Sequence, residues 1–191
     1  IQVKTSTGYA KAFYPYDFLN GIFGTGDENL DIPIVFTDAT FWNGTLPFYI
    51  YSCDVDGNNT GDITYIKFDN LAILKSMDLT NCKDDVIEVD LAGCTDLESF
   101  TILSSISLTN LNISNTQVQE LSLNGCEFLE ILDITSTTFT PVYTLDLSGV
   151  TYLRNVFGDS CNLFGLITSA STQEEVSLND CVNLSLYSIT L

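Results

Sequence analysis

A short hydrophobic pattern recurs along the chain from Ile63 onward. The unit is an apolar residue, two residues of any type, an apolar residue, one intervening residue and a last apolar residue, as in residues 129–134, LEILDI. The single residue between two apolar ones predicts a short strand, because successive side chains on a strand point to opposite faces. Thr, Ser, Val and Ile are frequent in these units, which favours strand over helix. The pattern therefore predicts a mainly β protein.

The units fall into two interleaved series, each with a period near 22 residues. Their last apolar positions are 68, 91, 113, 134, 158 and 178 in one series and 79, 102, 123, 147, 168 and 189 in the other. Only about 10 residues separate successive units, which leaves little room for helices. One coil of this length is too small to bury its own apolar face, so it must stack on its neighbours. We expect a solenoid of about six short coils over residues 63–191, with two strands per coil.

Five of the six cysteines share one position of the repeat, three residues after the last apolar residue of a unit. They are Cys82, Cys94, Cys126, Cys161 and Cys181. In leucine-rich repeats this position holds Asn or Cys and points inward. The sequence leaves open buried thiols, disulfides between stacked coils and a zinc site. The lack of His and of any Cys-x-x-Cys disfavours zinc, and the shared position favours reduced thiols packed in the core.

The repeat is clearest in residues 121–134, LSLNGCEFLEILDI. This segment resembles the short leucine-rich repeats of bacterial surface proteins, in particular the cysteine-ladder type of the internalins and similar short repeats of Bacteroidetes. The resemblance covers residues 63–191, with irregular copies at 153–172. It implies a leucine-rich repeat solenoid and non-enzymatic recognition at a surface. An extracellular, cell-surface or virion-surface location is the expectation that goes with such a role.

Residues 1–62 do not repeat and are rich in aromatic side chains. Strand patterns at 31–37 and 46–51 flank a turn signal at Asn43-Gly44. We expect a small β-rich cap domain over residues 1–62 that covers the first coil of the solenoid, because solenoids need their open ends shielded. The aromatic side chains are expected in its core, and a platform for stacking glycans is the alternative.

Asp54, Asp56, Asn58 and Asp62 form the sharpest local motif, with glycines between them. Oxygen-bearing side chains at this spacing can wrap Ca²⁺, which takes about six to eight oxygen ligands. The stretch resembles calcium loops of the EF-hand-like and thrombospondin types, although it lacks the glycine at the sixth position and the glutamate at the twelfth position of an EF-hand. A polar turn is the alternative. Calcium is the one cofactor that the sequence suggests.

The negative charge of the chain disfavours some classes of binding partner. Acidic residues number 25 against 6 basic ones, and with no His the formal net charge is −19. Nucleic acids and anionic membrane surfaces are disfavoured, because their recognition depends on Lys and Arg. The longest apolar stretches are short and interrupted, so we expect no insertion into a membrane.

The sequence offers little to a catalytic site. Without His there is no Ser–His–Asp triad and no Cys–His dyad. The outward carboxylates of Asp90 and Asp133 share one wall of the predicted coil, and those of Asp78 and Asp146 share the other. Each pair is two or three coils apart, which is wider than the carboxylate spacing of glycosidases. We therefore predict that the protein is not an enzyme and that these carboxylates keep the surface soluble.

Together, these features predict a non-enzymatic surface recognition or adhesion module that binds a protein or a glycan through the walls of its repeats. The alternative is a structural, self-assembling subunit of an extracellular filament, a fibre or a virion surface. That alternative comes from the last unit, residues 184–191, which is as apolar as an interior coil and is followed by no polar cap. An uncapped coil favours self-association.

Overall fold

The computed structural model describes residues 2–13, 21–24, 26, 32–33, 49–52, 56, 61–68, 70–80, 84–169 and 175–190. The chain divides into two compact units, Ile1–Phe68 and Asp69–Leu191. Every regular element in the described ranges is a strand, and no helix occurs in them. The prediction of a mainly β protein is confirmed.

The described residues of the first unit form six strands in two antiparallel groups. They are β1 (Gln2–Thr5), β2 (Tyr9–Phe13), β3 (Gly21–Gly24), β4 (Ile32–Pro33), β5 (Tyr49–Ser52) and β6 (Ile63–Lys67). In one group β2 lies between β3 and β5, and in the other β1 lies between β4 and β6. Most of the aromatic residues that we expected in a core here, including Trp42, lie outside the described residues, as does the Asn43-Gly44 turn signal.

The first copy of the repeat, strand β6, belongs to this first unit. It pairs antiparallel with β1, so that Val3 faces Ile66 and Thr5 faces Ile63. Strand β1 is a suitable partner because its buried side chains, Val3 and Thr5, alternate with partly exposed ones. The hydrophobic pattern at residues 63–68 therefore correctly predicts a strand, and its antiparallel partner β1 is a feature that the pattern does not predict.

The second unit is a parallel β-solenoid. Its strands are β7 (Ser76–Asp78), β8 (Glu88–Asp90), β9 (Ser99–Thr101), β10 (Asn110–Asn112), β11 (Ile131–Asp133), β12 (Thr144–Leu147), β13 (Asn155–Phe157), β14 (Gly165–Ser169), β15 (Glu175–Ser177) and β16 (Leu186–Thr190). Strands β8, β10, β11, β13 and β15 pair in that order and form wall A. Wall B consists of the pair β7–β9 and the three strands β12–β14–β16.

The solenoid has about five turns, where the sequence predicted about six. In wall A the middle residue of each strand faces the middle residue of the next, as Leu111 faces Leu132 and Leu132 faces Val156. These three residues are at most 1% exposed. Burying one such side chain contributes about 1.5–3 kcal/mol, and the contribution recurs in every coil. Most of the inward positions predicted from the period, including Leu79 and Leu123, are buried as expected, whereas Leu178 in the last part of wall A is half-buried.

The turns that leave wall A form a ladder of their own. Three residues after each strand of this wall, the backbone adopts a left-handed conformation with φ between 55° and 73°. The residues are Gly93, Asn115, Ser136, Ser160 and Asp180. The N–H group of each of the first four donates to a carbonyl of the next coil, at 2.7–2.9 Å. The turns therefore satisfy their backbone groups between coils, as the strands do.

Wall B is interrupted between β9 and β12. Residues 121–123 carry the repeat pattern, and Leu121 and Leu123 are buried, yet this stretch is not assigned to a strand. The hydroxyl of Tyr143, one coil further on, accepts a hydrogen bond from the N–H of Leu121 at 3.0 Å and donates one to its carbonyl at 2.5 Å. The ring of Tyr143 stacks on Phe139, with centroids 5.2 Å apart. A side chain thus takes the place of the missing strand pairing.

We expect Tyr143→Phe to lower the free energy of unfolding by about 1–2 kcal/mol, because both backbone groups of Leu121 lose a partner while the ring remains in place. Urea unfolding followed by circular dichroism measures this loss. Tyr152→Phe is the matched control. Tyr152 is 46% exposed, so the free energy of unfolding of this variant should change little. Equal effects of the two substitutions would contradict the bridging role of Tyr143.

One inward position of wall B carries a buried hydroxyl instead of an apolar side chain. Thr168 is fully buried on β14, where it faces Leu147 of β12 and Ile189 of β16 across the ladder. Its Oγ1 atom has no hydrogen-bond partner within the part of the chain that the structure describes. A buried hydroxyl without a partner loses about 1–3 kcal/mol relative to its hydration in water.

We therefore expect Thr168→Val to stabilise the protein by about 1 kcal/mol, which raises the melting temperature by about 2–4 °C. Differential scanning calorimetry measures the shift. Thr137→Val is the control, because buried Thr137 donates a hydrogen bond to the carbonyl of Ile113 at 2.8 Å and should lose stability when the donor is removed. A fall in melting temperature for both variants would refute this assignment.

Candidate functional site

The outward Asp and Asn side chains hold the turns that follow their strands. Each accepts a hydrogen bond from the backbone N–H two residues further on, at 2.9–3.1 Å. The residues are Asp78, Asp90, Asn112, Asp133 and Asp146. Asn serves as well as Asp in this position, so the contact needs a carbonyl-type oxygen and not a charge. The outward Asp residues that the sequence suggested as candidate acids therefore have a structural role in the turns.

Their electrostatics agree with this role. The hydroxyl and the N–H of Thr80 both donate to Asp78 and lower the pKa of its carboxyl below the usual value. Ser148 lowers the pKa of Asp146 in the same way. Between Asp90 and Asp133 the ladder places Asn112, so the two carboxylates are not neighbours. The lowered pKa values of Asp78 and Asp146 make these two carboxyls unsuited to act as general acids near neutral pH.

Another acidic residue, which the sequence pattern does not indicate, accepts three hydrogen bonds. Asp159 accepts hydrogen bonds from the hydroxyl of Ser177 at 2.7 Å, from the backbone N–H of Asn179 at 2.8 Å and from the side-chain amide of Asn179 at 3.2 Å. The Ser177 bond, above all, lowers the pKa of the Asp159 carboxyl. All three donors come from the following coil, so Asp159 fastens one turn to the next.

The structure describes only some residues of the candidate calcium loop. Asp54 and Asn58 lie outside the described residues, whereas Asp56 and Asp62 are described and exposed. The backbone of Asp62 exchanges hydrogen bonds with Ser6: its N–H donates to the Ser6 hydroxyl at 2.8 Å, and its carbonyl accepts from the Ser6 N–H at 2.9 Å. In the described ranges no three His, Cys, Asp or Glu side chains are grouped to hold a metal. Calcium binding stays a prediction.

The cysteine position of the repeat points inward, as predicted. Cys94, Cys126 and Cys161 are buried, Cys181 is half-buried, and all four carry thiols rather than disulfides, whereas Cys53 and Cys82 lie outside the described residues. Burial raises the pKa of the Cys161 thiol to about 12 and also raises that of Cys126. These thiols stay protonated near neutral pH and are not activated nucleophiles.

An exposed apolar surface lies on the turns that lead from wall B to wall A. Phe128 and Tyr152 occupy the same position in consecutive coils and are 41% and 46% exposed. Their rings are stacked, with centroids 5.1 Å apart and planes 12° from parallel. Ile106, in the equivalent turn of the coil before, is 61% exposed. We call these three residues the exposed apolar edge.

The backbone fixes this edge from coil to coil. The N–H of Tyr152 donates to the carbonyl of Glu127 at 3.2 Å, which joins the turns that carry the two rings. The hydroxyl of Ser107 donates to the carbonyl of Asp84 at 2.5 Å and joins the preceding turns. Solvent-exposed aromatic side chains on a rigid, regularly spaced frame are typical of surfaces that bind a partner.

The part of the chain that carries the exposed apolar edge is strongly acidic. Residues 84–169 contain twelve acidic residues and a single basic one, Arg154. The Nε atom of Arg154 lies 3.7 Å from a carboxylate oxygen of Glu130. The exposed Glu127 directly precedes Phe128. The edge therefore combines flat apolar area with negative charge.

The sequence contains a signal for this edge, but it lies outside the strand pattern. The strand pattern points to the outward residues of the strands as candidate contacts, and there Asp and Asn dominate. Phe128 and Tyr152 instead each immediately precede the first inward residue of a unit, Leu129 or Leu153. A comparison of turn positions across coils, in addition to strand positions, would have found the two aromatic residues 24 positions apart.

No protein-family model, curated protein or solved structure matches this chain. Among the residues with described positions, no helix is long and apolar enough to span a membrane.

Proposed function

We propose that the protein is a non-enzymatic recognition module of the leucine-rich repeat type, which binds a protein or a glycan through the exposed side of its repeats. The observation that carries the proposal is the exposed apolar edge, where Phe128 and Tyr152 stack in consecutive coils at 41% and 46% exposure. The location that suits such a module is outside the cell, on a cell surface or on a virion surface.

Physical arguments support this role over catalysis. Each coil repeats the same backbone, so side chains on successive turns form an extended surface whose spacing is set by the strands. Aromatic side chains supply large contact areas with few rotatable bonds and are enriched where proteins bind partners. The carboxylates that could have served as acids hold turns, and the described thiols with resolved pKa shifts are protonated.

Binding to printed arrays of peptides and of oligosaccharides tests the proposal. We expect at least one class of ligand to bind the full chain and to be lost in the double variant Phe128→Ser, Tyr152→Ser. Val182→Ser is the matched control, because Val182 is 89% exposed but lies away from the edge, in a turn that leads to wall B. Melting temperatures of the variants establish that they are folded.

The opposite result is equally clear. Failure of every ligand on both arrays, or binding that the double variant retains in full, would refute recognition through this edge. Light scattering on the same samples addresses the alternative of a self-assembling subunit. Stable oligomers that the double variant loses would favour assembly over recognition of a different molecule.

A further inference from the structure

We propose that the partner of the exposed apolar edge is a cationic polypeptide surface, whose Lys or Arg side chains lie over the rings of Phe128 and Tyr152. This inference rests on the proposed function and adds the chemistry of the partner. It follows from two independent properties of the edge, namely the geometry of its rings and the sign of the charge around them.

The ring geometry offers flat faces to an incoming group. Phe128 and Tyr152 lie 12° from parallel with centroids 5.1 Å apart, so the pair forms one ordered aromatic unit. The negative face of an aromatic ring attracts an ammonium or guanidinium group within about 6 Å of its centroid. The same contact occurs inside the first unit, where Nζ of Lys4 lies 5.4 Å from the ring centroid of Tyr65.

The charge of the part of the chain that carries the rings favours a cation. Twelve acidic residues and one basic residue occupy positions 84–169, and Arg154 lies beside Glu130. Glu127 is exposed next to Phe128, where it can pair with a Lys or Arg that rests on the ring. A surface with this excess of carboxylates attracts positively charged partners over a distance of about 10 Å and repels anionic ones.

The same charge distinguishes a polypeptide from a glycan. A neutral oligosaccharide could stack on the rings, but it gains no net attraction from the surrounding carboxylates, and an acidic oligosaccharide is repelled. A cationic polypeptide gains from both features and also brings apolar side chains for Ile106, which is 61% exposed. Charge complementarity therefore favours the polypeptide, and glycans become an outcome of the test.

Isothermal titration calorimetry with defined probes tests this inference on the full chain. The probes are a short synthetic peptide that alternates Arg and Leu, a peptide of equal length that alternates Glu and Leu, and a neutral glucose hexamer. We expect the Arg–Leu peptide to bind and the other two to show no binding. Raising NaCl from about 50 mM to about 500 mM should lower the affinity of the protein for the Arg–Leu peptide by about tenfold, because salt screens the carboxylates.

Two variants separate the rings from the charge. The double variant Phe128→Ser, Tyr152→Ser should have an affinity for the Arg–Leu peptide that is lower by at least about tenfold, because the cation loses its aromatic contact. Glu127→Gln keeps the size of the side chain and removes one charge, so it should weaken binding by a few-fold without affecting the fold. Val182→Ser, away from the edge, should bind as the unsubstituted protein does.

Three results of these titrations would overturn the proposal of a cationic partner. Equal affinity of the Arg–Leu peptide for the double variant would show attraction by net charge alone and would overturn the inference. Binding of the glucose hexamer in place of the peptide would also overturn it, while leaving the proposed recognition function standing. Absence of binding by all three probes overturns the cationic partner, and only failure on both arrays as well removes the recognition function.

Discussion

Leu132→Ala should lower the free energy of unfolding by about 3 kcal/mol, since it deletes most of a fully buried side chain at the centre of wall A. Leu132 faces Leu111 on one side and Val156 on the other, so the cavity opens in the middle of a stack. The neighbouring coils are held at strand spacing by their own hydrogen bonds and cannot close the gap. Urea unfolding of the full chain, followed by circular dichroism, measures the loss.

The adjacent residue provides a matched control. Ile131 is on the same strand and is 37% exposed, because alternate residues of β11 point outward. Ile131→Ala truncates a side chain that points outward and leaves no closed cavity in the core, so it should cost less than about 1 kcal/mol. If the two substitutions destabilise the protein equally, the assigned inward and outward positions of this wall are incorrect.

Gly125→Ala should destabilise the protein by about 2–3 kcal/mol. Gly125 has a φ of 80°, which L-residues with a side chain adopt only at a cost. A Cβ atom added there would also lie 2.8 Å from the Cα atom of Ser104 in the preceding coil, so the backbone of that coil would have to move. Thermal unfolding gives the size of the effect.

Gly149→Ala is the control for backbone strain. A Cβ atom at Gly149 meets nothing within 4 Å, and this glycine does not have a left-handed backbone. The substitution should be neutral or slightly stabilising, because alanine restricts the unfolded chain. A neutral Gly125→Ala, or a Gly149→Ala that is equally harmful, would contradict the close packing of turns between coils.

The stacked core could be predicted from the sequence because it depends on local periodicity. A period near 22 residues placed Leu111, Leu132 and Leu147 on the inside, and all three are buried. Even the weak copy at residues 153–158 fits, although its last inward position is Gly158. Side chains of Ile134 and Leu178 come within 2.9–3.4 Å of where a Cβ of Gly158 would lie, so neighbouring coils fill that space.

Other features depend on contacts that no local pattern records. The strand over residues 63–67 has the repeat pattern, but the sequence does not reveal that its partner is β1. The bridge from Tyr143 to Leu121 needs the longer turn at residues 138–143, whose shape includes a left-handed Val142 with a φ of 65°. Pairing between distant segments, and not propensity, decides both features.

The candidate surface was missed for a related reason. The inward face of a solenoid is restricted to apolar side chains, so its pattern is strict, whereas turn positions accept many residue types. Phe128 and Tyr152 therefore look like isolated apolar residues until the coils are aligned, and their stacking then becomes evident. The outward Asp and Asn residues attracted attention because they recur, but they recur to hold turns.

The most direct test of the account is the pairing of Leu111, Leu132 and Val156 in wall A. Nuclear Overhauser effects between backbone protons of isotope-labelled protein report which residues face each other. We predict contacts of parallel strands that join residue 111 to 132 and residue 132 to 156, without helical contacts over residues 84–169. Contacts of antiparallel strands in this range, or sequential amide contacts typical of helix, would contradict the parallel stack and the surface built on it.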